Sequence, residues 1–263
     1  MESREELRSQ GREVLEHLQH GTNPARSRPL YQGSIPGMEH FTTEALWGSV
    51  WSRPGLERRL RMVATLAVLS SLQRLAQLRT YLNSALTIGL DPREIREVLI
   101  QCSAYAGFPT TVNSLELFRD VLEARGIEAG PMDVPEVGLD ALEQRGRALA
   151  ERLVPLTKDD PAVAAHRLAP DLRLVELRYI WGELYQRPGL DQRGRATCAI
   201  AALVALRFED DLEGWLDGGL QAGLTVEEVI EIVMQTAYYA GFPAATRALA
   251  VAARLFGEGL TPA

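Results

Sequence analysis

The 263-residue sequence has few of the residues that build metal centres, disulfide frameworks or nucleic-acid interfaces. Its two cysteines, Cys102 and Cys198, lie far apart and form no Cys-x-x-Cys pair, which excludes a disulfide framework and a cysteine-ligated zinc site. Lys158 is the only lysine, so all but one of the 28 basic residues are arginine, and the net charge is −7. An acidic chain of this kind is not expected to bind nucleic acid.

Long hydrophobic runs are also absent. The longest, residues 196–206, is about half the length that a helix needs to cross a bilayer. The first residues are polar and lack the apolar segment of a secretory signal peptide, so we expect a cytoplasmic protein that does not bind a membrane. The sequence has no glycine-rich phosphate loop, nucleophile elbow or metal-spaced histidine cluster, so neither a metal nor a nucleotide cofactor is expected.

Aromatic residues make up only 6% of the chain, whereas alanine and leucine are abundant, and this balance favours helices over sheets. Residues 57–75 carry apolar side chains at helical spacing, namely Leu60, Val63, Ala64, Ala67, Val68 and Leu72. Helix-start signals occur at Asp91-Pro92 and at Thr225 with Glu228. Because no segment alternates polar and apolar residues as a strand does, the sequence predicts an all-α chain.

The chain contains the same unit twice. Three motifs recur at an offset of 134 residues: Trp-Gly at 47 and 181, Arg-Pro-Gly-Leu at 53 and 187, and Tyr-Ala-Gly-Phe-Pro at 105 and 239. Residues 126–138 carry three glycines and two prolines without a helical period, which is typical of a linker. The sequence therefore predicts a first unit at 1–126, a linker at 127–138 and a second unit at 139–263, each with five or six helices.

The repeated motifs resemble those of a known family. The order Trp-Gly, Arg-Pro-Gly-Leu, a following arginine, an apolar helix and Gln-x-x-x-Tyr-x-Gly-x-Pro occurs twice and is similar to the carboxymuconolactone decarboxylase family, within the superfamily of the AhpD-like alkylhydroperoxidases. The resemblance implies two tandem all-helical units that associate into homo-oligomers, with pockets between helices at subunit contacts. Three duplicated chains would rebuild a pseudo-hexamer, and a dimer of chains is the alternative.

The catalytic residues of that family are missing from both units. Peroxidase members carry Glu-x11-Cys-x2-Cys-x3-His, with the histidine eight residues before the glycine that ends its helix. Counted back from Gly89, these positions hold Met62, Arg74, Gln77 and Tyr81. Counted back from Gly223, they hold Ala196, Phe208, Asp211 and Trp215. The chain's histidines lie outside both motif cores, at His17, His20, His40 and His166. Peroxidase activity is excluded because a dithiol is lacking, and the decarboxylases' acid/base histidine is lost as well.

Arg61 and Arg195 correspond to the arginine that follows the Arg-Pro-Gly-Leu turn in the family. Each could hold a substrate carboxylate through two hydrogen bonds, or could instead pair with a buried glutamate or cap helix carbonyls inside the fold. The structural role is favoured because both units keep the arginine although both have lost the histidine. The glutamates Glu94, Glu97, Glu228 and Glu231 lie in or near first helical turns, where helix-dipole and capping interactions explain them.

Gln101 and Gln235 each lie one helical turn before a tyrosine, Tyr105 or Tyr239. These four side chains could line a substrate pocket as hydrogen-bond donors, or could satisfy backbone groups in a packed interior. Aromatic residues also recur at helical spacing, at Trp47, Trp51, Trp181 and Tyr185. Packing in the core or between subunits is the favoured interpretation for that second set, ahead of a ligand platform.

The residues at the former catalytic positions are the remaining candidates. Tyr81, Tyr105 and Tyr239 could donate a hydrogen bond or a proton to a substrate, and Asp211 is a candidate base in the second unit. Trp215 replaces the histidine there and cannot take part in acid/base chemistry. It could line the second pocket or fill it.

Two functions are compatible with these observations. One is a cofactor-independent lyase or isomerase that acts on a small carboxylated lactone, cyclic or polyketide-like compound. The other is a non-catalytic homologue that serves as a ligand-binding or oligomeric assembly protein. An open polar pocket that contains the arginines and tyrosines favours the enzyme. An arginine buried in an ion pair, together with a pocket filled by Trp215, favours the non-catalytic homologue.

Overall fold

A computed structural model describes residues 3–19, 38–131, 136–158 and 160–257, and these ranges form helices joined by turns, with no strand among them. The first unit consists of α1 (Arg4–Gln19), α2 (Met38–His40), a π-helix (Phe41–Trp51), α3 (Arg58–Ser71), α4 (Leu75–Thr87), α5 (Pro92–Gln101), α6 (Ser103–Ala106) and α7 (Phe108–Arg125). The second consists of α8 (Leu139–Leu153), α9 (Pro161–Leu168), α10 (Pro170–Val175), a π-helix (Glu176–Trp181), a 3₁₀ helix (Leu184–Gln186), α11 (Gln192–Leu206), α12 (Glu209–Gln221), α13 (Val226–Ala240) and α14 (Phe242–Phe256). The predicted all-α fold of two tandem units is confirmed.

Each unit has seven α-helices in its described residues, where five or six were predicted, because some are only one or two turns long. The ends of the longer helices follow local signals. The Asp91 carboxylate accepts a hydrogen bond from the Arg93 amide at the start of α5, and Thr225 and Glu228 form a capping box at the start of α13. Helix α7 ends at Arg125, and residues 132–135 of the predicted linker lie outside the described residues.

Helices α3 and α11 pack against each other at the centre of the molecule, and both are buried along nearly their whole length. Helix α13 of the second unit packs on α3 of the first, and α5 of the first unit packs on α11 of the second. The two units therefore share one hydrophobic core rather than each enclosing its own. No helix within the described ranges is both long enough and apolar enough to cross a membrane.

The first helix of each unit crosses the π-helix of that unit at very short distance. A pair of glycines lies at each crossing. A Cβ atom on Gly11 would clash with the backbone carbonyl of Thr43, and one on Gly48 would clash with that of Leu7. Gly146 and Gly182 are related in the same way in the second unit, against the carbonyls of Leu177 and Leu142. Only residues without a Cβ permit this approach.

A charged pair at the same crossing has opposite orientation in the two units. Arg8 on α1 donates to Glu44 on the first π-helix at 2.7 Å, whereas Glu143 on α8 accepts from Arg178 on the second π-helix at 3.1 Å. Hydrogen bonds from Arg4 and Arg8 lower the pKa of Glu44 to about 2. The ion pair has thus been kept while the residues that form it have exchanged places.

We expect Gly11→Ala to destabilise the protein by about 1–3 kcal/mol, because the added methyl group must separate two packed helices. Gly138→Ala is the control, since Gly138 has a φ of −63° and a Cβ there meets no atom within 4 Å. Urea denaturation followed by circular dichroism measures both variants. Equal stability of the two would contradict the close approach of α1 to the π-helix.

Candidate functional site

One helix face of each unit packs into the other unit. On α13, Glu231, Gln235 and Tyr239 follow one another at four-residue spacing, so they lie on one side of the helix. The same three residue types recur in the first unit as Glu97 and Gln101 on α5 and Tyr105 on α6. Each face meets the arginine and the aromatic side chains of the opposite unit.

Arg61 is fully buried and donates three hydrogen bonds. Its Nη2 donates to Glu231 Oε2 at 2.7 Å and to the backbone carbonyl of Arg53 at 2.9 Å. Its Nη1 donates to Gln235 Oε1 at 3.3 Å. The Arg53 side chain reaches the other oxygen of Glu231 at 2.6 Å. These four residues, Arg53, Arg61, Glu231 and Gln235, form the first arginine network.

The second arginine network repeats this arrangement with the units exchanged. Arg195, also fully buried, donates to Gln101 Oε1 at 2.7 Å, to Glu97 Oε2 at 3.2 Å and to the carbonyl of Arg187 at 2.6 Å. The side chain of Arg187 binds Glu97 at 3.0 Å. In both networks two guanidinium groups share one carboxylate, which leaves one net positive charge.

Glu97 and Glu231 were not predicted from the sequence as the partners of these arginines. Their capping interpretation is wrong, because both carboxylates are buried and bind guanidinium groups of the other unit. Burial acts to raise the pKa of Glu231, but hydrogen bonds from Arg53 and Arg61 outweigh it and hold the pKa below its ordinary value. The signal that could have identified them is their spacing of four residues from the glutamines and eight from the tyrosines.

The first aromatic cluster consists of Trp47, Trp51, Tyr81 and Tyr239. Trp51 and Tyr81 stack with ring centroids 6.1 Å apart, and Tyr239, from the second unit, stands edge-on to Tyr81 at 5.4 Å. The indole nitrogen of Trp51 donates to the Tyr239 hydroxyl at 2.9 Å, and the hydroxyls of Tyr81 and Tyr239 are 2.7 Å apart. Two predicted site residues from different units therefore form one hydrogen-bonded pair.

The second aromatic cluster consists of Trp181, Tyr185, Trp215 and Tyr105. Trp215 lies nearly parallel to its neighbours, with ring centroids 5.6 Å from Trp181 and 5.5 Å from Tyr185, and is itself buried. The hydroxyls of Tyr105 and Tyr185 are hydrogen-bonded. Burial raises the pKa of both phenols above the ordinary value. This cluster combines Tyr105 from the first unit with three residues of the second.

The two clusters contain the same residue types in exchanged positions. Trp51 of the first unit corresponds to Tyr185 of the second, and Tyr81 corresponds to Trp215. Each cluster thus has two tryptophans, one tyrosine of its own and one tyrosine from the other unit. In both, the hydroxyl of the incoming tyrosine bonds to the hydroxyl of the resident one.

Asp211 is not brought into either cluster. Its side chain is exposed in the first turn of α12, where partial loss of hydration and the neighbouring carboxylates of Asp160 and Asp210 raise its pKa. A surface cleft of about 550 Å³ at the start of α5, beside the turn at Pro188 and Gly189, contains none of the predicted site residues. Among the described residues, no group of three histidine, cysteine or acidic side chains is arranged to hold a metal. His20 lies outside the described residues.

We expect Glu231→Gln to lower the free energy of unfolding by about 3 kcal/mol or more, because it leaves the buried Arg61 without its counter-charge. Glu213→Gln is the control, since that carboxylate is 58% exposed and lies 3.9 Å from Arg254, where a surface pair contributes about 1 kcal/mol or less. Urea denaturation compares them. Similar losses in the two variants would show that the buried pair is not needed.

The same carboxylate predicts a pH dependence. Because the folded protein holds the pKa of Glu231 below its ordinary value, the stabilisation is complete above that ordinary value and is lost as the pH falls through the lowered one. We expect the stability difference between the wild type and Glu231→Gln to be constant above the ordinary glutamate pKa of about 4.5 and to shrink as the pH falls below it. Denaturation midpoints measured across this range test it, and a constant difference would contradict the assignment.

Comparison with known proteins agrees with the repeated arrangement. The family model for the carboxymuconolactone decarboxylase family matches residues 36–120 and again residues 171–254. A 4-carboxymuconolactone decarboxylase of Acinetobacter baylyi is 37% identical over 89 residues, which are 34% of this chain and 66% of that protein. A nitrosuccinic acid decarboxylase of Metarhizium robertsii is 34% identical over 80 residues, 30% of this chain and 55% of the relative. An uncharacterized 15.0 kDa protein of Paracoccus denitrificans is 27% identical over 117 residues, 44% of this chain and 87% of the relative. Both matched regions contain an arginine and aromatic residues described above, and this chain belongs to the carboxymuconolactone decarboxylase family.

Proposed function

We propose that this protein is a cofactor-independent decarboxylase of a small carboxylated compound, and that the first aromatic cluster is its reaction site. One observation carries the proposal: the hydroxyl of Tyr81, the residue that the family resemblance aligns with the acid/base histidine, is 2.7 Å from the hydroxyl of a second phenol, Tyr239. Two proton-carrying groups therefore lie together where the resemblance leads us to expect proton transfer. The names of two relatives, both decarboxylases, support the class of reaction.

A protonated phenol suits this chemistry. When a carboxylate leaves as CO₂, the electron pair of the broken C–C bond stays on the substrate carbon, which then takes up one proton. A phenol with a pKa near 10 is protonated at neutral pH and can deliver that proton, so no base of ordinary histidine strength is required. In this scheme Tyr81 gives its hydroxyl proton to the carbon that has lost CO₂.

The charge of the first arginine network supports an acidic substrate. Arg61 is already bound to Glu231, so its guanidinium is not arranged to clamp a substrate carboxylate. The network as a whole nevertheless keeps one positive charge, and the Arg53 side chain is 40% exposed. Such an excess charge attracts an anion to the nearby protein surface. Selection of a carboxylated substrate by this field replaces direct binding by Arg61, which was the less favoured of the two roles that the sequence left open.

The second aromatic cluster is assigned a structural role. Trp215 occupies the position that Tyr81 holds in the first unit, and an indole neither accepts nor releases a proton at physiological pH. Its stacking against Trp181 and Tyr185 supports this assignment, because the ring occupies space that a substrate would need. Arg195, Gln101 and Tyr105 would then hold the units together.

A second candidate function is a non-catalytic binding or assembly protein. It is favoured by the burial of Arg61 and Arg195 in ion pairs and by the stacking of Trp215. Homo-oligomer formation, as a trimer or a dimer, is proposed under either function. It is supported by exposed apolar side chains at equivalent positions, such as Phe108 and Phe242, which are 68% and 58% exposed.

Tyr81→Phe and Tyr185→Phe distinguish these functions, because each removes the resident hydroxyl from one phenol pair. A thermal-shift screen against lactone acids, muconates, aromatic acids and small polyketide acids first identifies a ligand, which at 100 times its Kd stabilises the fold by about 2.7 kcal/mol. We expect that compound to release CO₂, with a rate lowered about 100-fold or more by Tyr81→Phe and unchanged by Tyr185→Phe. Binding without CO₂ release, or no binding by an intact protein, would support the non-catalytic function.

A further inference from the structure

We infer that the second arginine network binds one buried water molecule beside Ala199, held by the side-chain amide of Gln101 and the backbone carbonyl of Arg195. This water takes the place of a threonine hydroxyl that completes the first network. The site is independent of the proposed function, because it belongs to the half of the molecule that is assigned a structural role.

The orientation of the Gln101 amide is fixed by its arginine partner. Arg195 Nη1 donates to Gln101 Oε1 at 2.7 Å, and a guanidinium group can only donate. The amide oxygen therefore faces Arg195, and the amide nitrogen points away from it. Gln101 is fully buried, and its Nε2 has no hydrogen-bond partner in the part of the chain that the structure describes. A buried N–H group without an acceptor is destabilising, so this nitrogen requires a partner.

The first network shows which kind of group belongs at this position. Gln235 is held by Arg61 in the same way, and Gln235 Nε2 donates to Thr65 Oγ1 at 3.1 Å. The Thr65 hydroxyl in turn donates to the backbone carbonyl of Arg61 at 2.8 Å. A single hydroxyl thus accepts from the amide N–H of one unit and donates to a helix carbonyl of the other.

Ala199 occupies the position of Thr65 in the second unit. It is fully buried, and its methyl group can neither donate nor accept a hydrogen bond. Compared with threonine, alanine lacks a hydroxyl and a methyl group, which together fill about the volume of one water molecule. A water molecule beside Ala199 accepts from Gln101 Nε2 and donates to the second lone pair of the Arg195 carbonyl, as the Thr65 hydroxyl does in the first network.

Tyr105 provides a third partner for this water. Burial raises the pKa of Tyr105, while Tyr185 and the nearby Gln101 amide act to lower it. The Gln101 amide therefore lies beside the Tyr105 hydroxyl, yet it forms no direct hydrogen bond with it. A water molecule between the two groups can bond to both. Buried waters typically make about three hydrogen bonds, which is the number that Gln101, Arg195 and Tyr105 supply.

The chemistry of the site suits water better than an ion. The Gln101 amide requires an acceptor and the Arg195 carbonyl a donor, so the bound molecule must do both, which neither a simple anion nor a metal cation can. The charge of Arg195 is already balanced by Glu97 at 3.2 Å. Arg195 Nε is also buried without a partner, but so is Arg61 Nε, so that nitrogen does not distinguish the two networks.

Crystal structures of the wild type, Ala199→Thr and Thr65→Ala, at a resolution that shows ordered water, test this site. In the wild type we expect a water about 3 Å from both Gln101 Nε2 and the Arg195 carbonyl oxygen. In Ala199→Thr the new hydroxyl should take its place and the water should be lost. Thr65→Ala is the reciprocal variant and should gain a water beside Gln235.

NMR tests the same site in solution. In ¹⁵N-labelled wild-type protein we expect a cross-peak between water and the side-chain amide protons of Gln101, and its loss in Ala199→Thr. Tyr105→Phe is the control for a signal relayed through the exchanging tyrosine hydroxyl, and the cross-peak should remain in that variant. If Ala199→Thr fails to fold by circular dichroism, Ala199→Ser replaces it, because serine supplies the hydroxyl with a smaller side chain.

A direct hydrogen bond from Gln101 Nε2 to Tyr105 in the wild type, with no water beside Ala199, would overturn the inference. So would a water that stays on the Gln101 amide in a folded Ala199→Thr protein, because it would not lie where the hydroxyl does. None of these measurements requires turnover, so a protein that binds this water and releases no CO₂ would reject the decarboxylase alone.

Discussion

The structure depends on two buried arginine–glutamate pairs that each join one unit to the other. A guanidinium group removed from water is strongly destabilising unless a carboxylate accompanies it, and Arg61 and Arg195 are both fully buried. Neither unit supplies the carboxylate that pairs with its own buried arginine. Glu231 of the second unit binds Arg61, and Glu97 of the first unit binds Arg195. One covalent chain guarantees that both partners are present in equal number, so the duplication and the burial of charge support each other.

The position of the first aromatic cluster follows from this constraint. Glu231 fixes α13 against α3, and residues four and eight positions later then lie about 6 Å and 12 Å further along the same helix face. Gln235 accordingly reaches Arg61, and Tyr239 reaches Trp51 and Tyr81. Thr65 adds to the rigidity of the first network by accepting from Gln235 at 3.1 Å. Ala199 stands at the equivalent position of the second network, so this bond has no counterpart there.

Much of the fold could be predicted from the sequence, because duplication and helix periodicity are local patterns. The capping residues Asp91 and Thr225 mark helices that begin where expected. The exchange of helix faces could not be predicted, since matching motifs at a fixed offset are equally compatible with two units that fold separately. The roles of Glu97 and Glu231 were wrongly predicted for a related reason. Because both residues lie near the start of a helix, capping and helix-dipole interactions were enough to explain them locally. Counting back along a family pattern placed Asp211 near a catalytic position, but the count cannot show that the side chain faces solvent.

The two units differ most informatively where residues have changed in pairs. Arg8 and Glu44 have become Glu143 and Arg178, and Trp51 and Tyr81 have become Tyr185 and Trp215. A buried hydroxyl or carboxylate requires a partner, but packing does not specify which side of the contact supplies which group. Such exchanges therefore leave the fold intact. They do not preserve the proposed chemistry, because exchanging tryptophan and tyrosine removes the phenol from one fixed position and replaces it with a ring that cannot transfer a proton. A duplicated chain can thus change the chemistry proposed for one site while keeping its packing contacts, provided that both members of the pair change together.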